Sequence, residues 1–372
     1  MVHSSQPTVS AASKHPGGLD LGVDVVTLTR VLCDIPSVSG DERAIADAIE
    51  VSLRALPHLE VLRDGDALVA RTSLGRSERV VIAGHLDTVP IAANLPTWVR
   101  GDGADAIVHG RGTVDMKGGV AVQLRLAASE PEPVRDVSYI FYDAEEVEAS
   151  RNGLGRLARD HPDWLAGDFA ILMEPSSARV EGGCQGTIRV QVEVPGIAAH
   201  SARAWTGRNA IHAAEPVLAV LNQYRPREVD VDGLVYREGL NAVGISGGIA
   251  GNVIPDRCAI TINYRFAPDR SVAQAQAHLE TLFAGYELTV TDASPGARPG
   301  LNHPAAASFV TAVGGTAGPK YGWTDVARFA ELGIPAVNYG PGNPELAHKD
   351  DEHCPAAQIF DCEAGLRRWL TT

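Results

Sequence analysis

The stretch "RVVIAGHLD", residues 79–87, is apolar at every position from Val80 to Ala83 and ends in a histidine and an aspartate. A strand alternates its side chains between two faces, so an unbroken apolar run is buried on both. That is the pattern of a parallel strand covered by helices on either side. The neighbouring segments agree with it. "KGGVAVQLRLAAS" reads as a helix, "DVSYIFYDAEE" as a second strand and "DFAILMEPSS" as a third. Strands alternating with helices make an α/β sheet. Further upstream, "SVSGDERAIADAIEVSLRAL" has Ser39 and Glu42 at capping-box spacing. Ala44, Ile45, Ala48, Ile49 and Leu53 then follow at helical period.

Near Gly182 the character changes. "TIRVQVEVPG" alternates with period two, which fits a strand with one wet face. "NAIHAAEPVLAVLNQY" reads as a helix with Ile211, Ala214, Val217, Leu218 and Leu221 on one face. "NAVGISGGIAGNVIPDRCAITINYRF" gives two strands around a glycine-rich turn, "SVAQAQAHLETLFAGY" a helix, and "ELTVTD" a last strand. This β-α-β-β-α-β order over residues 184–292 is a ferredoxin-like α+β unit, expected as a separate lid domain inserted into the first. "ASPGARPG", residues 293–300, is a Pro/Gly hinge, after which α/β character resumes. A chain of 372 residues is too long for one small core. The expected organisation is a loose tail over 1–18, an α/β catalytic domain over 19–183 and 293–372, and the insert over 184–292.

Composition excludes some functions. A formal net charge of −14 opposes nucleic-acid binding, which needs basic surface. The apolar runs are strand-sized, so none is expected to span a membrane. Residues 1–18 lack the apolar core of an export signal, which points to the cytoplasm. Five scattered cysteines without a C-x-x-C pair read as reduced thiols.

Five metal-ligand residue types fall at equivalent places. His85 ends the first strand, and Asp115 sits in "GRGTVDMKGG" just before a helix. Glu146 follows the second strand, Glu174 ends the third, and His348 lies in the loop after the strand "IPAVNYG". In an open α/β sheet, the crevice beyond the carboxyl ends of the strands is where sites form. Singly, each residue has an ordinary reading as a cap, a turn residue or a satisfied polar group. Together they bring carboxylates and imidazoles to one crevice, where they need a cation. That donor mix suits zinc, then cobalt or manganese. One shared carboxylate would give each of two metals three protein ligands. Asp87, two residues after His85 on a strand, falls on the same face and can orient its imidazole.

"GHLDTVP", "GRGTVDMKGG", "DAEEVE", "MEPS", "AHSAR", "GNVIPD" and "AHKDDE" together resemble the di-zinc amidohydrolases of peptidase family M20. The likeness covers nearly the whole chain beyond the tail. "EGGCQGT", "AHSARAWTGRNAIH", "NYRFAPDRS" and "KYGWTDVARFAELGIPAVNYGPG" narrow it to the actinobacterial desuccinylases of that family. The resemblance implies a three-layer, zinc-exopeptidase-like catalytic domain and a lid that dimerises. It places two zinc ions, one on His85 and Glu174, the other on Glu146 and His348, with Asp115 bridging. It makes Glu145 the general base, with Asp87 behind His85. It gives His200 an oxyanion-stabilising role in the partner subunit's site, and it leads us to expect a cis peptide at Asp115–Met116. The implied substrate is the small molecule N-succinyl-LL-2,6-diaminopimelate, split by water into LL-2,6-diaminopimelate and succinate for lysine and diaminopimelate synthesis. Arg265 is the candidate to grip a substrate carboxylate bidentately. Asn252 matches a position that contacts substrate in the family, and Thr324 and Asp325 fall where the family has a turn beside the site, so they too are expected to bind substrate. Alternatives are an acetylornithine-type deacetylase, another N-acyl-amino-acid hydrolase, a dipeptidase, or a metal-binding homologue without activity. Better-known desuccinylases have Arg-Arg-Gly where this chain has Cys184-Gln185-Gly186. A cation is therefore missing there, and Arg203 is a candidate to replace it.

Overall fold

A computed structural model describes residues 17–372. The tail expected over residues 1–18 lies, but for its last two residues, outside the described part. The centre of the molecule is an eight-stranded sheet. Its middle is four adjacent parallel strands in the order Asp136–Tyr142, Arg79–His85, Phe169–Leu172 and Ala336–Asn338. The apolar run that opens the first motif explains this placement. Val80 and Ile82 pack into one core, while Val81 and Ala83 pack into another on the opposite face. The first core is closed by helices Val25–Cys33, Arg43–Arg54, Lys117–Ser129, Pro304–Val313 and Ala356–Thr371, the second chiefly by Gly153–Asp160 and Val326–Glu331. The result is the three-layer α/β arrangement.

The paired glycines of "MKGG" follow from close packing. A Cβ on Gly119 would stand 2.4 Å from the Met173 carbonyl oxygen, and one on Gly118 would stand 2.7 Å from that of Thr113. Any side chain there would push the helix Lys117–Ser129 off the sheet and move Asp115 with it.

The insert is a four-stranded antiparallel sheet in the order Gly239–Gly247, Arg257–Phe266, Gly186–Pro195 and Glu287–Ser294. Helices Glu215–Gln223 and Val272–Leu282 cover one face, burying Ile188, Val190, Ile260, Ile262 and Tyr264. The strand order and the two crossing helices are ferredoxin-like.

Local readings fail at several places. Ser39 and Glu42 form no capping box. The helix starts at Arg43 without a side-chain cap. The Ser39 hydroxyl donates to Asp87 instead, 2.7 Å away, and the Glu42 carboxylate accepts from the Gly40 and Ala144 backbone amides. Of the apolar stripe expected around Glu215–Gln223, Ala214 and Val217 are buried, but Ile211 and Leu218 are exposed. The helices Val25–Cys33, Gly153–Asp160 and Pro304–Val313 were not foreseen. Nor were an edge hairpin Glu60–Asp64 with Ala67–Arg71, a hairpin Glu228–Val231 with Leu234–Arg237, and a small sheet of Trp98–Arg100, Ile107–His109 and His353–Pro355. Their strands are three to five residues long, too short for a periodic signal. All five cysteines are buried and free. Among the described residues no helix is long and apolar enough to cross a membrane.

Candidate metal centre

Each of the four parallel strands delivers a polar side chain at its carboxyl end. His85 is the last residue of its strand, Glu174 follows Leu172 by two, and Glu146 follows Tyr142 by four. His348 lies ten residues past Asn338, in the left-handed region at φ 66°. Asp115 arrives from the side, ahead of Lys117–Ser129, and its peptide to Met116 is cis. These loops bring all five expected residues together. Ligand-type atoms of His85, Asp115 and Glu174 lie within 4.8 Å of one another, and so do those of Asp115, Glu146 and His348. Asp115 is common to both groups. One of its oxygens lies 3.1 Å from His85 Nε2, the other 3.3 Å from His348 Nε2. Glu146 Oε1 is 3.0 Å from His348 Nε2.

Asp87 organises this floor from below. It is fully buried. Oδ1 accepts from the Glu145 N–H at 3.0 Å, and Oδ2 accepts from the Glu146 N–H at 3.0 Å and from Ser39 Oγ at 2.7 Å. His85 Nδ1 lies 3.0 Å from the Asp87 carbonyl and 3.4 Å from its carboxylate. The imidazole is thus held mainly through backbone, with Nε2 left facing Asp115. Glu352 does a parallel job for the Asp115 loop. It accepts from the Val114 and Asp115 amides at 2.9 and 3.2 Å, and Arg111 caps it at 2.8 Å. The parts Ser39, Glu42 and Arg111 play here could not be read in the sequence, because their partners are backbone groups or residues far along the chain; the capping-box spacing of Ser39 and Glu42 pointed elsewhere.

The charges are out of balance. Burial and the nearby Asp115 push the Glu174 carboxyl up to about 8. Its Oε1 is buried with no hydrogen-bond partner. Burial likewise pushes Glu145 well above the carboxylate range, with Glu174, Asp325 and Glu146 adding to the effect. Burial and Asp115 raise Glu146. Hydrogen bonds to Asp115 and Glu146 raise His348 to about 10. Asp115 is held far below its ordinary range: burial opposes its charge, but hydrogen bonds from His348 and His85 outweigh that. A buried group of carboxylates borrowing protons from two imidazoles fits cations. The donor set and the orphaned Glu174 oxygen suit a pair of them sharing Asp115.

The centre lies at the bottom of a cleft of about 960 Å³. One wall is the metal floor with Glu145, Glu148 and Asn152. The other is the polar face of the inserted sheet, with Thr187, Arg189, Arg265 and Asp292. A second cavity of about 780 Å³, behind Arg298 and Val326, includes none of the expected site residues.

A model of the family described as peptidase family M20/M25/M40 matches residues 81–372. The chain belongs to peptidase family M20. A Mycobacterium tuberculosis relative bearing the name DapE is 55% identical over 355 residues, covering 95% of this chain and 99% of the relative. A Corynebacterium glutamicum protein named succinyl-diaminopimelate desuccinylase is 47% identical over 365 residues, covering 95% and 98%. A Staphylococcus aureus tripeptidase has the same fold, with a TM-score of 0.75 at 20% identity over 93% of this chain and 96% of that one.

The expected substrate contacts of this M20 chain divide. Arg265 and Thr324 line the cleft, although the Thr324 hydroxyl donates to Asn338 Oδ1 at 2.8 Å. Asp325 does not. It is fully buried, with its carboxylate accepting from Asn152 at 3.0 Å and Arg328 at 2.5 Å. It shapes the loop, and no oxygen faces the cleft. His200, Arg203 and Asn252 are exposed and stand together outside the cleft of their own chain. His200 pairs with Val253 in a short bridge, and Ser201 N–H donates to the Asn252 carbonyl at 2.9 Å. Cys184 and Gln185 face inward, Gln185 donating to the Arg237 carbonyl at 2.7 Å. That position contributes no group to the cleft.

Proposed function

We propose that the chain is a metal-dependent desuccinylase, hydrolysing N-succinyl-LL-2,6-diaminopimelate to LL-2,6-diaminopimelate and succinate. Family membership and the two relatives support the reaction class and the substrate. The observation that carries the hydrolytic reading is the shared Asp115, with Glu145 beside both groups yet bonded to neither imidazole. His85, Asp115 and Glu174 would hold one divalent cation, and Asp115, Glu146 and His348 a second. Zinc is the preferred metal, with cobalt or manganese able to replace it. When bound, such ions polarise the amide carbonyl and make water acidic enough to attack near neutral pH.

The remaining work belongs to side chains. Glu145 takes a proton from the attacking water and passes it to the leaving amine. Asp87 fixes the backbone that carries Glu145, so the base stays in place as charge develops. Arg265 offers a guanidinium to a substrate carboxylate.

His200, Arg203 and Asn252 act in the cleft of a second copy, His200 donating to the oxyanion. Two features support a dimer through the insert, taken as residues 184–292. Among the described residues, strand Gly239–Gly247 has no partner on its outer edge. It exposes Val243 and Ile245 beside the exposed Ile211, Leu218 and Ile249. The cytoplasm is the expected compartment.

The test is a panel of N-succinyl and N-acetyl substrates assayed with added zinc. Release of succinate from succinyl-diaminopimelate should outrun N-acetylornithine and dipeptide cleavage at least tenfold. Faster deacetylation or dipeptide cleavage would reassign the substrate and leave the hydrolase reading intact.

A further inference from the structure

Thr187, Arg189, Asn263, Arg265 and Asp292 share one face of the inserted sheet. Thr187 pairs with Arg265, and Arg189 pairs with both Asn263 and Asp292. Arg189 and Arg265 are therefore diagonal neighbours on adjacent strands, a spacing that long side chains bridge. Their proximity is visible in Arg265, whose guanidinium is pushed down by burial and by the charge of Arg189.

Four cations line the cleft, and two are already engaged. Lys320 donates to the Pro175 carbonyl at 2.6 Å and lies 3.0 Å from Glu181. Arg328 is bonded to Asp325. Arg265, half-buried, has no hydrogen-bond or ion-pair partner among the described residues. Among the described residues, the only carboxylate within 4.0 Å of Arg189 is that of Asp292, at that limit. Two adjacent guanidiniums without a bonded acceptor repel each other, and an anion seated between them relieves this.

We propose that Arg189, paired with Arg265, is the receptor for the terminal carboxylate of the acyl group, and so determines acyl selectivity. This rests on the desuccinylase reading. Three carboxylates of the substrate compete for the pair. The one next to the scissile amide is drawn to the reacting centre with that amide. The one at the far end of diaminopimelate carries an ammonium on the same carbon, which two guanidiniums repel. The succinyl tail is an anion with no cation attached, and it suits two guanidiniums that outnumber the single carboxylate beside them, Asp292 at 4.0 Å from Arg189. Cys184 and Gln185 are buried and cannot serve, so the cation comes from Arg189, four residues after Gln185 in the strand Gly186–Pro195.

The test is the ratio of kcat/KM for N-succinyl- over N-acetyl-diaminopimelate in the metal-loaded enzyme. Arg189→Gln should lower that ratio roughly 10- to 100-fold, mainly through KM for the succinyl substrate. Arg189→Lys should recover part of it. Free succinate should inhibit the wild type competitively and lose most of that inhibition in Arg189→Gln. The Arg189 side chain is 46% exposed, so the variants should fold. An unchanged ratio and unchanged succinate inhibition, in an enzyme that prefers succinyl substrates, overturn the role of Arg189 alone. An equal loss on both substrates also overturns it, because the acyl tail is then not what Arg189 reads. A wild type with no succinyl preference overturns the substrate reading as well.

Discussion

Asp87→Asn is the sharpest probe of how the site is held. The carboxylate accepts three hydrogen bonds, from the Glu145 and Glu146 amides and from Ser39. An amide of the same shape has one acceptor oxygen. With its NH2 at the Oδ1 position it faces the Glu145 N–H, and at the Oδ2 position it faces the Glu146 N–H. Either way one buried backbone donor loses its partner, at a cost of about 1–3 kcal/mol. The remaining bonds lose their ionic character, which adds roughly 1–2 kcal/mol. Opposing this, removal of the charge relieves Glu42, whose carboxyl is raised by burial and in part by Asp87. The direction of Asp87's own shift decides between them. Burial works against its ionised form, yet the His85 imidazole 3.4 Å away, with the hydrogen bonds from Ser39 and the Glu145 amide, holds its carboxyl below the ordinary range. The folded protein thus favours the charge, and neutralising it is a net loss above the ordinary aspartate range. Urea unfolding of the metal-free variant at pH 7 should show a loss of about 2–4 kcal/mol. Metal titration should show affinity falling about 10- to 100-fold. Ser39→Ala, which removes one bond, should cost only about 1 kcal/mol. Stability and metal affinity within error of wild type in Asp87→Asn would refute the claim that this carboxylate holds the floor.

Three further outcomes are expected. Glu145→Gln should lower kcat by roughly 10²- to 10⁴-fold while elemental analysis still finds the wild-type metal content; lost metal would make Glu145 a ligand. His200→Ala should lower kcat without changing metal content, and mixing it with Glu145→Gln should restore about a quarter of wild-type activity, since a random mixed dimer has one intact site. No recovery after subunit exchange would place His200 in its own chain's site. The third concerns pH. His348 is raised to about 10, so its contribution to the metal-free fold is complete below its ordinary range and lost as pH climbs towards 10. Glu174 is raised to about 8, so the cost of its ionisation sets in above the ordinary glutamate range and is complete above 8. Both make the metal-free protein weaker as pH rises. Binding of cations, which favours neutral imidazole and ionised carboxylate, should therefore raise Tm more at pH 8.5 than at pH 6 in thermal scans. A metal-induced Tm increment that shrinks with pH would contradict these assignments.

The sequence was most legible where one physical rule acted alone. Val80 to Ala83 had to be buried on both faces, and that fixed the sheet's centre and the crevice at its end. Four of the five ligand candidates could be read because each stands at or just past a strand end or at a helix start; His348, ten residues past its strand, was read from its loop. What stayed hidden depends on who meets whom in space. Ser39 and Glu42 have the spacing of a capping box, but Asp87 and Ala144 compete for them from distant parts of the chain and win. Ile211 and Leu218 follow helical period, yet the face they form is left uncovered in one copy. Arg189 looked like one wet-face residue among several, and only the diagonal pairing with Arg265 sets it apart. Asp325 illustrates the converse: its motif suggested a contact with substrate, and the fold commits its carboxylate to Arg328 and Asn152.

The side-by-side glutamates show how backbone geometry can divide two identical groups. Ala144 lies in the left-handed region at φ 56°, a conformation costly for a residue with a Cβ. It is held there from both sides. Its own N–H donates to Glu42, while the next two N–H groups donate to the two oxygens of Asp87. Three consecutive amides are thus tied to two buried carboxylates, and the peptide planes are fixed before any side chain is considered. From that fixed backbone Glu146 reaches His348 at 3.0 Å, and Glu145 is left beside His85 with no hydrogen-bond partner among the described residues. Sequence spacing alone allows either glutamate to be the ligand. The asymmetry comes from Glu42 and Asp87, two carboxylates outside both candidate ligand groups, and so loosening either should blur the division between the proposed ligand and the proposed base before it disturbs the fold of the sheet.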